Sequence, residues 1–441
     1  MQHQIQQIVD AVHLESGVPG LAACVALDGR RYFAASGLAK IGTDIRIGRD
    51  ARFDLSCLMK FFLSAAILKL AVQGKLDLHA DVASLLPELG TPREIRLIHL
   101  MSHTSGCHGI DITDMTARWN SNWDGFAARF RAGPQLFPPG STFNYEHSEH
   151  VILGQATRRL LERRALELVQ DMILAPASVV LQTAGEESGI CAHAFSRQKM
   201  AYVPARLPPF GPFWEASLPT KTISLDELIS AASHILADKD IADTLRAPVI
   251  GLPDLARSAP RAELPPRNFS AACGIYEDGI LGHNGSMAGQ TIAVRADPQS
   301  GAIVGAGVNA YAPHARDKLV RRILDILSGR DGTGAPPIGG GEFLHAPDFL
   351  FDGLSAEDVE GLYIGSYLGV VSVERDTTGF RVTVGPPGAR QSGFGILAEC
   401  QGYRIQSAMP VALRFTRAPD RSPMLYLGVH AYKRQQGTKP T

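Results

Sequence analysis

A Gly- and Pro-dense stretch, Ser328 to Gly341 (SGRDGTGAPPIGGG), limits most what this 441-residue chain can fold into. Glycine loosens the backbone and proline removes a donor, so no regular element persists through such a run. It reads as a linker, and the sequence changes character across it. Before it, helical and strand patterns alternate. After it, Gly361-Leu-Tyr-Ile-Gly-Ser-Tyr-Leu-Gly, Val370 to Glu374, Phe380 to Val384, Tyr403 to Gln406 and Met424 to Gly428 recur as short runs between turn residues. That rhythm, roughly every 8–12 residues, predicts an all-β unit. The expected division is a first domain over 1–330, a linker over 331–341 and a β domain over 342–441. The length suits a large domain plus a small one better than a single one.

Within the first part, Leu21 to Gly37 (LAACVALDGRRYFAASG) predicts two strands around an Asp-Gly turn. Met59 to Gln73 (MKFFLSAAILKLAVQ) is apolar around most of its circumference and lacks Gly and Pro, which predicts a buried helix ending at Gly74. Thr291 to Val294 and Ala302 to Asn309 read as strands flanking a turn at Asp297-Pro298, and Ala315 to Leu327 as an amphipathic helix. Terminal strands around internal helices predict an α/β or α+β sandwich. Leu207 to Pro219 and Ala256 to Asn268, both Pro-rich, read as loops, the first lying over a surface or cleft.

Composition excludes several functions. Lys and Arg number 43 against 44 Asp and Glu, a formal charge of -1 without a basic stripe, so a general nucleic-acid binder is excluded. No apolar run reaches the roughly 18 residues of a membrane span. Met1 to Glu15 is polar and lacks the charged and apolar regions of a secretory signal. Six cysteines, at 24, 57, 107, 191, 273 and 400, form no CxxC pair. Free thiols in a reducing cytoplasm are therefore expected.

One cysteine is chemically loaded. In Phe53-Asp-Leu-Ser-Cys-Leu-Met-Lys60-Phe-Phe, Cys57 and Lys60 lie three apart at the predicted helix start and share a face. The helix dipole and the ammonium both favour thiolate there. The surrounding residues resemble the serine β-lactamase and penicillin-binding-protein superfamily, in its class C β-lactamase-like branch of esterases, D-aminopeptidases and transacylases. That family carries Ser-x-x-Lys at the start of its central helix. Gly74-Lys-Leu-Asp-Leu-His-Ala-Asp81, followed by Leu85-Leu86-Pro87, resembles it too. So does Ile95-Arg-Leu-Ile-His-Leu-Met-Ser-His-Thr-Ser-Gly106, in which the resemblance gives His103 a structural and not a catalytic role.

Two further elements follow in the family's order. Pro139-Gly-Ser-Thr-Phe-Asn-Tyr145-Glu-His147 resembles its Tyr-x-Asn motif. Tyr145 takes the proton-shuttling tyrosine position, while His147 replaces the substrate-binding Asn with a side chain that titrates near neutrality when unperturbed. Gly282-His283-Asn-Gly285-Ser-Met-Ala-Gly289 resembles the His-x-Gly variant of the third motif. The resemblance implies that Gly285 admits substrate closely and that the Ser286 and Cys57 N–H groups form an oxyanion hole. It covers about residues 6–330 and implies a β-lactamase-like antiparallel sheet with a helical domain. The region after the linker resembles the small lipocalin-like antiparallel β appendage of some members.

Cys57 stands where the family has serine. Three readings are open: a native nucleophile, a replacement introduced to trap an acyl intermediate, and a site that only binds. A native thiol implies an acyl-thioester, which amines attack more readily, relative to water, than they attack an oxygen ester. The leading expectation is therefore an acyltransferase or amide synthase, of the kind found in secondary metabolism. It would take a small-molecule acyl donor and an amine acceptor. A hydrolase using the same residues, and a non-catalytic binding relative, are the alternatives. No cofactor is expected, and no metal: His99, His103 and His108 lack a zincin spacing. Trp119, Asn120 and Trp123 (ARWNSNWDGF) either cap the cleft or pack as an ordinary helix.

Overall fold

Asp28 and Gly29 both adopt positive φ, 49° and 72°. That is the two-residue turn whose twist matches an antiparallel pair, and it closes a hairpin of Gly20–Leu27 and Arg30–Gly37. The computed structural model in which this hairpin lies describes residues 1–92, 94–110, 122–183, 190, 192–196, 201–205, 216–217, 219, 221–252, 266–287, 289–329, 349–351, 354–365, 369–375, 379–384, 396–400, 403–407, 413–427 and 430–435.

The first strand pairs not only with its hairpin partner but also with Ile303–Val308, in the register Leu21↔Val308. From there the sheet runs antiparallel through Gln290–Ala296 and Leu281–Met287 to the short strands Gly274–Ile275, Asn268–Phe269 and Ile250–Gly251. Period-two alternation gives it two apolar faces. Leu21, Ala23 and Val25 face the helices Gln2–Ser16 and Pro313–Leu327, which bury Ile5, Val9, Val12, Leu319 and Ile323 against them. Ala22 and Cys24 face the helical layer on the other side. Residues 2–16, polar in composition, form the N-terminal helix. A stripe of Ile5, Val9 and Val12 at i, i+4 and i+7, with Ile8 beside it, faces the sheet, and Glu15 pairs with Lys318 and Arg322.

The helical layer centres on Leu58–Val72, where Leu58 to Leu68 are buried without a break. Each fully buried Leu, Ile or Phe there stabilises the fold by roughly 1.5–3 kcal/mol. Gly74, at φ 69°, ends it as expected. This helix therefore forms the rigid floor of the domain, and its first turn is fixed relative to the sheet.

Beyond residues 330–348, which lie outside the described residues, nine strands among the described residues form a second sheet. The mixed α/β class, an antiparallel sheet flanked by helices and followed by a β unit, is as expected. Two pairings of the second sheet nevertheless run parallel, Phe349–Phe351 with Leu413–Arg417 and Gly379–Val384 with Tyr403–Ser407. In the latter, Ile396–Cys400 takes the outer edge, so its hairpin partner Tyr403–Ser407 meets Gly379–Val384 in the same direction. Spacing of apolar runs carries no information on that order. Among the described residues no helix is long and apolar enough to cross a membrane. Cys24, Cys57, Cys107 and Cys273 are free and buried.

Candidate active site

The strand Arg52–Asp54 pairs with Lys221–Ser224 and ends in a sharp turn. Ser56 sits there at φ 49°, a left-handed conformation that costs a non-glycine residue roughly 1–2 kcal/mol. Its hydroxyl donates to the Ser286 carbonyl at 2.8 Å and so ties the turn to the sheet strand Leu281–Met287. Cys57 follows as the N-cap of the central helix, without a side-chain cap bond. Its N–H donates to no backbone carbonyl among the described residues, as expected of a leading helix donor.

Gly285 lies where these backbones converge. A Cβ there would stand 2.9 Å from the Leu55 carbonyl oxygen and 2.8 Å from Ile292 Cγ2. A side chain would therefore push the strand away from the Cys57 turn. Gly285→Ala is expected to cost roughly 1–3 kcal/mol and to slow acylation of Cys57 roughly a hundredfold by misplacing the site. Thermal melts and single-turnover labelling measure the two effects. A variant that melts lower but labels normally would separate Gly285 from the site.

Lys60, one helical turn after Cys57, is fully buried. Its ammonium lies 3.5 Å from Cys57 Sγ, donates to Tyr145 Oη at 2.8 Å and contacts His147 Nδ1 at 2.9 Å. It also stands 4.3 Å from the Tyr145 ring centroid. Burial pushes the ammonium below the ordinary lysine value, partly offset by Cys57 and the nearby glutamates. Burial pushes the Tyr145 phenol well up, and Cys57 adds to this, so the phenol stays protonated. The sequence expectation that His147 titrates near neutrality is corrected. Burial and the Lys60 charge hold it well below its usual range, so a neutral imidazole accepts from Lys60. His283 is likewise neutral, pushed down to about 3 by burial, and its Nδ1–H donates to the Asn284 carbonyl at 2.7 Å. Its ring lies 6.3 Å from that of Tyr145. Ser286 lies beside them, its hydroxyl accepting from Arg316 at 3.3 Å.

His103 lies beneath this group, fully buried, with φ 57°. Its Nδ1 is 2.6 Å from Glu149 Oε2 and accepts from the Glu146 N–H at 3.2 Å. Burial pushes Glu149 well up and His103 well down, which favours a neutral pair with the carboxyl O–H donating. The His103 carbonyl accepts from the Asn144 N–H at 2.8 Å. The stretch 95–106, through His103, thus supports the segment that carries Tyr145. His99 and His108 make separate local bonds, to the Arg96 N–H and the Gly109 carbonyl. No group of side chains among the described residues is placed to hold a metal ion.

The structure brings Cys57, Lys60, Tyr145, His147, His283, Gly285 and Ser286 to one place. It also adds residues that motif reading does not single out. Ser217, near the end of the Pro-rich segment whose residues 206–215 lie outside the described residues, places its hydroxyl 3.4 Å from His147 Nδ1. Ser64, one turn beyond Lys60, meets His150 at 3.2 Å. His430, from the second sheet, donates to the Tyr145 carbonyl at 2.8 Å. No local pattern marks it, since it sits in an ordinary strand run. Trp123 packs on Phe126 and donates to Glu88 at 2.6 Å, in a helix of the layer. Trp119 and Asn120 lie outside the described residues.

Comparison with known proteins bears on the fold and the family. The chain is similar to Penicillin-binding protein 4 of Amycolatopsis lactamdurans, 28% identical over 176 residues, which are 39% of this chain and 46% of that protein. The match thus spans less than half of that relative's length. The fold is similar to that of SurE, with a TM-score of 0.73 and 19% identity over 98% of this chain and 99% of that one. It is also similar to that of EstCE1, a hydrolase with promiscuous acyltransferase activity, with a TM-score of 0.59 and 18% identity over 72% and 97% of the two chains. Residues 2–328, from the N-terminal helix to the end of the last helix before the linker, match the Beta-lactamase family model, and the chain belongs to that family.

Proposed function

We propose that this protein is an acyltransferase that carries its acyl group as a thioester on Cys57 and passes it to an amine. The observation that carries the reading is the buried Lys60 ammonium, shared between Cys57 Sγ and Tyr145 Oη. A buried lysine with a lowered pKa can give up its proton and act as a base. In the first step Lys60, having given up its proton to become the neutral amine, takes the thiol proton and Sγ attacks the donor's acyl carbon. A C–S bond forms, and the carbonyl oxygen becomes an oxyanion facing the N–H groups of Cys57 and Ser286. The oxyanion collapses, the bond to the leaving group breaks, and the leaving group takes a proton through the Tyr145 phenol. In the second step the amine attacks the thioester and gives its proton to the same relay, and the Cys57 thiolate departs. His147, His283 and Gly285 shape the donor pocket around these atoms.

Sulfur supports transfer over hydrolysis, because a thioester favours amines over water. The restricted access to Cys57, 7% exposed, supports it too. EstCE1 shows that one fold relative combines both reactions, with water or another acceptor as the alternatives.

The test is intact-protein mass measurement after exposure to activated acyl esters and thioesters, followed by a panel of amines. The expected result is a single acyl adduct on Cys57 that persists in water and discharges into one class of amine. Cys57→Ser is expected to keep slow acylation and to shift product toward free acid. Rapid hydrolysis by the wild type, unchanged by every amine, would replace the transfer reading with a hydrolase. Absence of any adduct would remove the thioester.

A further inference from the structure

The second sheet meets the candidate site at one hairpin, strands Pro423–Leu427 and His430–Arg434. Three hydrogen bonds leave it for three consecutive residues. Tyr426 Oη donates to the Phe143 carbonyl at 2.9 Å, the Ala431 N–H donates to Asn144 Oδ1 at 2.9 Å, and His430 Nδ1 bonds the Tyr145 carbonyl at 2.8 Å. An apolar seam of Leu136, Phe137, Met424, Tyr426 and Ala431 backs them. A carbonyl oxygen only accepts, so Nδ1 carries the proton and the His430 tautomer is set. The ring also stands edge-on to the Tyr145 ring, with centroids 5.9 Å apart at 77°. His430 thus touches Tyr145 twice, at its backbone and at its ring.

From the opposite side, His103 holds the same segment through the Asn144 and Glu146 N–H groups. Tyr145 is therefore held by His103 of the first sheet's partner layer and by His430 of the second sheet, and its phenol meets Lys60.

We infer that His430 is a positioning residue for Tyr145, so that the C-terminal sheet completes the active site of the first domain. This rests on the acyl-transfer reading only in assigning Tyr145 a chemical task. Were His430 a docking contact alone, the seam and the Tyr426 and Ala431 bonds would hold the two parts together without it, and the rate would not respond. As a positioning residue it controls where the phenol stands, and small displacements of a catalytic group are costly in rate.

Two variants of the full chain separate these roles. His430→Phe keeps a ring against Tyr145 and loses the donor. His430→Asn loses the ring and keeps an N–H near the Nδ1 position. Single-turnover acylation of Cys57 by an activated phenyl ester is followed by intact mass, beside thermal melts and the 13Cζ resonance of Tyr145. His430→Phe is expected to slow acylation roughly ten- to a hundredfold, to leave half-saturation by the ester unchanged and to shift the Tyr145 resonance. His430→Asn is expected to restore most of the rate and to return the resonance. Wild-type acylation by His430→Phe would overturn the inference, as would equal losses in both variants. If the wild type takes no acyl group, the thioester reading fails while the Tyr145 resonance still decides the role of His430. If His430→Phe does not fold, ring-nitrogen NMR of the wild type decides it. The Nδ1–H tautomer, neutral at pH 5 because burial pushes the imidazole down to about 3, supports the inference, and the Nε2–H tautomer overturns it.

Discussion

Cys57→Ala is expected to abolish covalent labelling and to lower turnover on the order of 10^4-fold or more, as removal of a nucleophile does elsewhere. The melting transition is expected to move little. The side chain lost is one sulfur at the first turn of a helix whose remaining buried face, from Leu58 to Leu68, is untouched. A cavity of that size costs about 1 kcal/mol. Kinetics with an activated ester, intact mass and a thermal melt on one preparation measure all three. Turnover at the wild-type rate in the alanine variant would remove Cys57 from the chemistry. Because a small stability change accompanies a very large rate change, the two are not confounded.

Lys60→Met separates function from stability in the opposite sense. Removing the base is expected to slow acylation by roughly 10^2–10^4-fold, with some thiol acylation remaining because a thiol needs less base assistance than a hydroxyl. Stability is expected to hold or rise, since a fully buried ammonium is replaced by an apolar chain of similar length. The sign follows from linkage. Burial lowers the folded pKa of Lys60 below 10.5, so the folded state binds fewer protons than the unfolded chain. Its contribution to stability is present above the unfolded value and is lost as pH falls through the folded one. The gain of Lys60→Met over wild type should therefore be larger at lower pH. The wild-type acylation rate should climb with pH along a limb whose midpoint lies below 10.5, and the variant should lack that limb. Denaturant melts across pH and a pH–rate profile test both halves. A variant that loses stability as pH falls more steeply than wild type would show that Lys60 is not a buried burden on the fold.

Much of the candidate site is legible from residue order because its parts are local. The Asp28-Gly29 turn, the uninterrupted apolar run that becomes Leu58–Val72, and the three-residue step from Cys57 to Lys60 each depend on neighbours within one turn or hairpin. Gly285 is legible only through the motif His283-Asn-Gly285 that it closes; the Leu55 carbonyl that leaves no room for a Cβ there is brought near by packing. Other features escape such a reading. Residues 2–16 look polar, yet Ile5, Val9 and Val12 are buried on one face of a helix there. The parallel pairings of the second sheet depend on which strand takes the edge, and apolar spacing says nothing about that.

The sequence by itself determined the chemistry on offer: a thiol and an amine one turn apart, a phenol after a Pro-Gly turn, and a glycine beside a histidine. These are properties of residue type and short spacing, and covalent neighbours dictate them. Only the tertiary structure decided their state and their company. Lys60 and Tyr145 are 85 residues apart in the chain, and packing alone brings them to 2.8 Å. His147 changes from a side chain that would titrate near neutrality into a neutral acceptor, because burial and the Lys60 charge act on it only in the folded molecule. His430, 285 residues from Tyr145, reaches it because a second sheet packs against the segment that carries Tyr145. Desolvation and long-range contact are collective consequences of the fold, and no window of sequence contains them.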